Sequence, residues 1–563
     1  MSDSVSEKLL SKVLGFGAAF TTIFIVSGSV TDPVNVPKML SLGVVSMTAI
    51  CIALNSSLRT RMKESRILLA ALFVFLLSML WSTFNSQSPI SQNIYGTYGR
   101  NNGLLTYFFL SLVLLSASLI RSRFENFTNA LIFAGLVNVV YCLWVVTFGD
   151  FIGWSNPYGN ILGTLGNPNF IGSFLGIFLA SYLAFIMKPK SSKYLRFSAV
   201  LVIPVAGFEI VKSHAIQGRV VAALGIGIIG FLIVRSRFNY LVLAGYSVVV
   251  SALGVVALLG ALQIGPLTSL IYKTSVSLRG QYWLAGFNTG KRHLLSGVGM
   301  DSFGDWYRRS RDAHALILPG PNTVVNASHN VPLDIFAFGG LPLLLSYLVV
   351  FTLTLIAIIR VIVRTKEFDP IFAILLTAWA GYQVQSIISI NQIGLAIWGW
   401  LLGGAIIGFE KSTRTVSPSL AVHSKTTVKS AKLPAYSPRI VVAGSLGGLI
   451  GLLIALPAFT SDAKWRSAQV ARTLPAIEAS MKSSYFNPLN TTKYLMNIQA
   501  LEDSNLFELS HKYALDAVKW NPQSFDLWRT LYLLKNSTHT EKDAALRQMK
   551  KLDPLNPDVA STE

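Results

Sequence analysis

The sequence predicts an all-α protein: a polytopic membrane bundle of about 12–13 transmembrane helices, plus a small C-terminal helical-repeat domain. Three observations lead there. Of the 563 residues, 52% are hydrophobic and only 13% charged, about half the ~25% charged share of a soluble domain. Apolar runs of the roughly 20 residues needed to cross a bilayer recur along most of the chain. Residues 460–563 then turn polar, with helix-favouring composition. The net charge of +21 would point to nucleic acid in a soluble protein. In a membrane protein it reads as Lys- and Arg-loaded cytoplasmic loops, and no nucleic-acid partner is expected. Cys51 and Cys142 both lie in apolar stretches, so neither a disulfide framework nor a Cys-based metal site can be built.

Thirteen spans are expected, at 10–30, 39–55, 66–84, 103–120, 129–148, 168–187, 197–212, 219–234, 240–264, 333–359, 369–389, 392–409 and 440–459. The first follows Lys8 and Lys12 and lacks a small-residue cleavage site, so it reads as a retained helix. With the N-terminus inside, every even-numbered span is followed by a basic loop. These loops hold Arg59, Arg61 and Lys63; Arg121 and Arg123; Lys188, Lys190, Lys193 and Arg196; Arg235 and Arg237; Arg360, Arg364 and Lys366; and the 411–439 segment. Six agreeing loops set the orientation. The core is therefore 1–410, followed by a cytoplasmic basic linker at 411–439, a last span at 440–459 and an extracytoplasmic domain at 460–563. The linker, rich in Ser, Thr and Pro, reads as a solvated tether near anionic lipid. In the tail, Asn487-Pro488, Asn521-Pro522 and Asp553-Pro554 have proline spacings of 34 and 32 residues. Helix pairs closed by a Pro turn at this period resemble tetratricopeptide repeats, which would offer a protein partner a surface.

Chemistry is then sought on the outer face. The one long outer loop, 265–332, holds Lys273, Arg279, Lys291, Arg292, Arg308, Arg309 and Arg311 against Asp301 and Asp305. Arg forks suit phosphate, with bidentate hydrogen bonds and permanent charge. A solvated basic surface is the plain alternative for 308–311. The loop ends in Ala327-Ser328-His329-Asn330. A histidine can take a proton from an alcohol near neutral pH, although at a helix start it often only packs or caps. Tyr98-Gly99-Arg100-Asn101-Asn102-Gly103, Gly166-Asn167-Pro168-Asn169 and Gln217-Gly218-Arg219 each precede a span on the same face. Free N–H groups at helix N-termini favour anions there. Together they suggest a site for a large anionic, lipid-anchored substrate.

The ordered set Gly-Arg-x-x-Gly, Asn-Pro-Asn, Gly-Arg, Arg-Gly-x-x-Trp and His-Asn before a Gly-Gly helix resembles the O-antigen ligase and polymerase superfamily. Its members are multipass glycosyltransferases of the GT-C type. The resemblance covers about residues 60–410 and is densest at 275–345, which includes Gly297-Val298-Gly299 and Ser328-His329-Asn330. It implies transfer of a glycan from a polyprenyl-pyrophosphate carrier to a glycan, lipid or protein acceptor at the outer face of the cell membrane. By position it assigns catalysis to Arg219, Arg279 and His329. Arg100, Asn167, Asn169 and Asn330 are expected to bind substrate. With no Asp-x-Asp and no His/Asp cluster of ligand spacing, no cofactor and no metal are expected. A multipass transporter or flippase of an anionic or lipid-linked substrate is the alternative. Pro332 and Gly339-Gly340-Leu341-Pro342 predict a kink in the helix after the loop.

Overall fold

The structure is a computed structural model that describes residues 3–189, 191–265, 268–271, 274–414 and 437–560. Lys190, Lys273 and most of the basic linker lie outside the described residues. Each of the thirteen expected spans falls on a helix. In chain order these are α1 (Asp3–Ile23), α2 (Asn35–Leu54), α3 (Arg66–Asn85), α4 (Leu104–Ala117), α5 (Glu125–Phe148), α6 (Pro168–Ile186), α7 (Lys193–Lys212), α8 (Ile216–Arg237) and α9 (Tyr240–Ala261). In the outer loop lie α10 (Thr274–Arg292) and α11 (Phe303–Ser310). The remaining spans are α12 (Val331–Arg364), α13 (Pro370–Ile388), α14 (Ile393–Ser412) and α15 (Pro438–Ala471). Among the described residues, eleven helices are long and apolar enough to cross a membrane, and α4 is apolar but shorter.

Burial grades across the bundle. The spanning window of α14 is wholly buried, whereas that of α9 contains no buried residue. Glycines allow close crossings: a Cβ on Gly451 of α15 would lie 2.1 Å from the Gly43 carbonyl of α2. Small residues allow such backbone approach where apolar burial gives helices no net drive to associate.

The basic loops gather at one end. Glu7 accepts from Arg61 at 2.9 Å and from the Arg121 amide at 2.7 Å. Glu410 pairs with Arg364 and Arg414, and Arg235 donates to the Thr365 carbonyl. Lys188 reaches Thr128 at 3.1 Å. The outer loop and the tail occupy the other end.

The kink predicted in α12 is a break. Gly340 has φ 66° and ψ −159°, a left-handed region that glycine enters without steric cost. Residues 294–299 fill the gap: the Val298 and Gly299 amides donate to Ala337 and Phe338, and the Leu341 amide to Leu294, over 2.7–3.0 Å. A Cβ on Gly297 would sit 2.2 Å from the Phe338 carbonyl oxygen, so the seam closes only with glycine there.

Helix α15 runs 34 residues, about 50 Å at 1.5 Å per residue, well beyond a ~30 Å hydrocarbon core. Its last turns lead into α16 (Leu474–Met481), α17 (Thr491–Asp503), α18 (Phe507–Trp520), α19 (Phe525–Leu533) and α20 (His539–Leu552). Tyr494, Ile498, Leu501, Ala514, Ala517 and Leu527 form part of the core of this small domain. Asn521 and Asp553 stand at the C-terminal ends of α18 and α20, where each following proline stops its helix.

Candidate active site

The loop before α4 is cinched around one carboxylate. Asp301 Oδ2 accepts from the Thr97 amide at 2.8 Å and the Asn102 amide at 3.0 Å, while Thr97 Oγ1 donates to the Asp301 carbonyl at 2.6 Å. Gly96, at φ 86°, lets them approach, since a Cβ there would meet Asp301 Oδ2 at 2.6 Å. Asn102 also donates to the Asn391 carbonyl at 2.7 Å. Arg100 rides on this loop, partly buried. Among the described residues its guanidinium has no hydrogen bond and no ion pair. Burial draws its pKa down, while Asp301, Asp334, Tyr158 and Asp32 act the other way.

His329 is pinned on both sides in a left-handed conformation, φ 57°. Its carbonyl accepts from Trp283 Nε1 at 3.3 Å, and its ring lies 5.4 Å from that of Tyr282. The preceding Ser328 donates through its amide and hydroxyl to Asp334, at 2.6 and 2.7 Å. Burial, followed by the charges of Arg100 and Arg279, pushes the imidazole pKa down to about 3. His329 is therefore neutral at physiological pH, with a lone pair free. Arg279, partly buried on α10, has a pKa lowered by burial against an opposing effect of Tyr282. Like Arg100, it has no hydrogen-bond or ion-pair partner among the described residues.

Three elements thus bring Arg100, Arg279 and His329 together. Arg219 stands apart: it is exposed on the first turn of α8, and it is not among the charges acting on His329. The asparagines serve helix starts. Asn167 Oδ1 accepts from the Asn169 amide at 2.9 Å and its Nδ2 donates to Tyr158 at 3.2 Å, so it caps α6. Asn330 Oδ1 caps α12 through the Leu333 amide at 3.1 Å. Asn169 lies half-buried on the first turn of α6.

Sequence reasoning missed Asp301 and Asp334 as the acidic frame of the site. Burial lifts the Asp301 carboxyl to about 7 against the two amide hydrogen bonds and Arg100. An Asp between Gly-Met and Ser-Phe in a strongly basic loop was the available signal. The reading of Arg308, Arg309 and Arg311 as phosphate ligands or solvated charge is corrected, because they hold the tail. Arg311 pairs with both oxygens of Asp553 at 2.9 Å, Arg308 with Asp553 at 3.0 Å and Asp526 at 3.3 Å, and Arg309 with Gln523 at 2.8 Å. Asp305 accepts from Gln92 and Asn521, each at 3.1 Å, beside them. Among the described residues, no group of three or more His, Cys, Asp or Glu is placed to hold a metal ion.

Fold and site together define a polytopic helical membrane protein with a cationic, histidine-bearing site at one end. Residues 213–348 match the family model described as O-antigen ligase, Wzy_C. The match takes in Arg219, Arg279, His329 and the seam, and leaves out Arg100. No curated protein matches the chain.

Proposed function

We propose that the protein is a membrane glycosyltransferase of the O-antigen ligase or polymerase type, which moves a glycan from a polyprenyl-pyrophosphate carrier to an acceptor hydroxyl. The observation that carries this reading is the pair of unpartnered guanidiniums, Arg100 and Arg279, flanking a neutral histidine. The site lies at the end of the bundle opposite the basic loops, which supports an extracytoplasmic position in the cell membrane.

The acceptor oxygen attacks the anomeric carbon, the bond from that carbon to the phosphate oxygen breaks, and the carrier leaves as its pyrophosphate. That leaving group is stable, so catalysis is mainly charge neutralisation and positioning. Arg279 and Arg100 grip the pyrophosphate, and Arg219, exposed on α8, meets the carrier at the edge of the site. His329 takes the acceptor proton or orients the hydroxyl. Its pKa is held down first by burial and then by the charges of the two arginines, so a bound pyrophosphate offsets only the arginine share and raises its basicity in part. In this reading guanidiniums supply the positive charge that neutralises the pyrophosphate.

The test uses purified full-length protein in proteoliposomes with polyprenyl-pyrophosphate-linked glycan extracted from the native membrane. Release of polyprenyl pyrophosphate is expected, with a loss of about tenfold or more in Arg279→Lys, which keeps the charge but not the fork. Movement of intact lipid-linked glycan with no release would establish the transporter reading instead.

A further inference from the structure

We propose that the C-terminal domain is part of the carrier-binding apparatus, with Asp462 and Trp465 as positioning residues that set Arg100. The proposal rests on the reading above that Arg100 contacts the pyrophosphate. Both residues lie on the stretch of α15 that leaves the bundle, and both are buried, at 5% and 1% exposure. Asp462 Oδ2 accepts from the Thr31 and Asp32 amides at 2.6 and 2.8 Å. Asp32 in turn accepts from the Val34 and Asn35 amides at 2.9 Å and from Asn35 Nδ2 at 3.0 Å. The same Asn35 Nδ2 donates to the Gly99 carbonyl at 3.0 Å. Trp465 meets the Tyr98 ring edge-on, with centroids 4.9 Å apart. Of the two residues immediately before Arg100, Tyr98 thus packs directly on the tail and Gly99 is held by Asn35, which Asp32 links to Asp462 of the tail, while Asp301 holds Thr97 and Asn102. Buried Lys493 donates to Ser461 and Asn487, both at 2.8 Å, and fastens this stretch of α15 into the domain.

The physical need is specific. A guanidinium in the field of three buried carboxylates, Asp301, Asp334 and Asp32, gains by pairing with one of them. On a loop with Gly96, Gly99 and a left-handed Asn101, small backbone rotations would bring that pair about. Clamping positions 98 and 99 keeps the fork unpaired and available to an anion. Neither Asp462 nor Trp465 touches the carrier in this scheme.

The test measures the dissociation constant of geranylgeranyl pyrophosphate for the full chain in nanodiscs. Trp465→Leu, Asn35→Ala and Arg100→Ala should each weaken binding by about tenfold, and Trp465→Phe should restore it. Adding Trp465→Leu to Arg100→Ala should cost less than about twofold more, because coupled residues are not additive. Wild-type affinity in both Trp465→Leu and Asn35→Ala, or losses that multiply in the double variant, would overturn the proposal. If Trp465→Leu does not accumulate, Asp462→Ala in the same stretch of α15 takes its place, and wild-type affinity in it overturns the proposal. Wild-type affinity in Arg100→Ala would remove the assigned role of Arg100 and this inference with it. Weakening in Arg100→Ala, with none in the tail and Asn35 variants, would sink the inference alone.

Discussion

Replacing Asp553 by alanine should release the tail from the outer loop. Asp553 is fully buried, and so is Arg311, whose two bonds to it, both 2.9 Å, are its only ion-pair contacts among the described residues. Arg308 would keep Asp526 at 3.3 Å and its position over the Phe525 ring, 4.2 Å from the centroid, but Arg311 would keep only the Pro321 carbonyl at 2.8 Å. Removing one partner of a buried pair costs ~3–5 kcal/mol, because the remaining charge stays buried without compensation. At ~1.4 kcal/mol per decade, the docked state loses about two to three and a half orders of magnitude relative to the undocked one. Limited proteolysis of the membrane-embedded protein reads this directly, as faster cleavage near 520–555 with the spans intact. Asp553→Asn, which keeps the shape and an acceptor, should fall between wild type and Asp553→Ala. Protease resistance of Asp553→Ala equal to wild type would refute the view that these arginines exist to hold the tail.

Three further outcomes follow from the site. His329→Ala should lose about two to four orders of magnitude in turnover, the usual range for a general base, with geranylgeranyl pyrophosphate affinity unchanged; near-normal turnover would leave His329 as a packing residue. The Asp301 carboxyl, lifted to about 7, sheds its charge as pH falls through that value and leaves Arg100 less compensated. Pyrophosphate binding should therefore tighten from about pH 8 to pH 6 by more in wild type than in Asp301→Asn, and equal slopes would exclude Asp301 as the cause. A cysteine introduced by Ser504→Cys should react with an impermeant thiol reagent in intact cells, and labelling only after lysis would invert the proposed orientation.

The sequence was most readable where physics is one-dimensional. Apolar length and the basic loops located all thirteen helices, because the bilayer imposes both a span and a charge asymmetry. Gly339-Gly340 and Pro342 marked the break in α12. The site was legible only in part. Arg100, Arg279 and His329 come together from separate elements, and the order of short motifs placed them on one face. Their distinction from Arg308, Arg309 and Arg311 was not readable, since free and paired arginines look alike until the partners are in place. Asp553 and Asp526, the carboxylates that claim Arg308 and Arg311, lie more than two hundred residues away. Asp301 was hidden for a similar reason: its role depends on the amides of Thr97 and Asn102, which side-chain patterns do not report.

The seam between residues 294–299 and the break in α12 has a mechanical consequence. It joins the stretch leading to Asp301 with the helix that begins just after His329, through three backbone hydrogen bonds. Those two parts of the site move as one stiff piece. The outer loop therefore cannot lift like a flap from its α12 side; access for a bulky substrate must come from displacement at the α10 side, or from a tilt that carries α12 along. The spacing between His329 and the Arg100 loop is also written in main-chain atoms. It tolerates most side-chain replacements nearby and fails when a glycine of the seam acquires a Cβ.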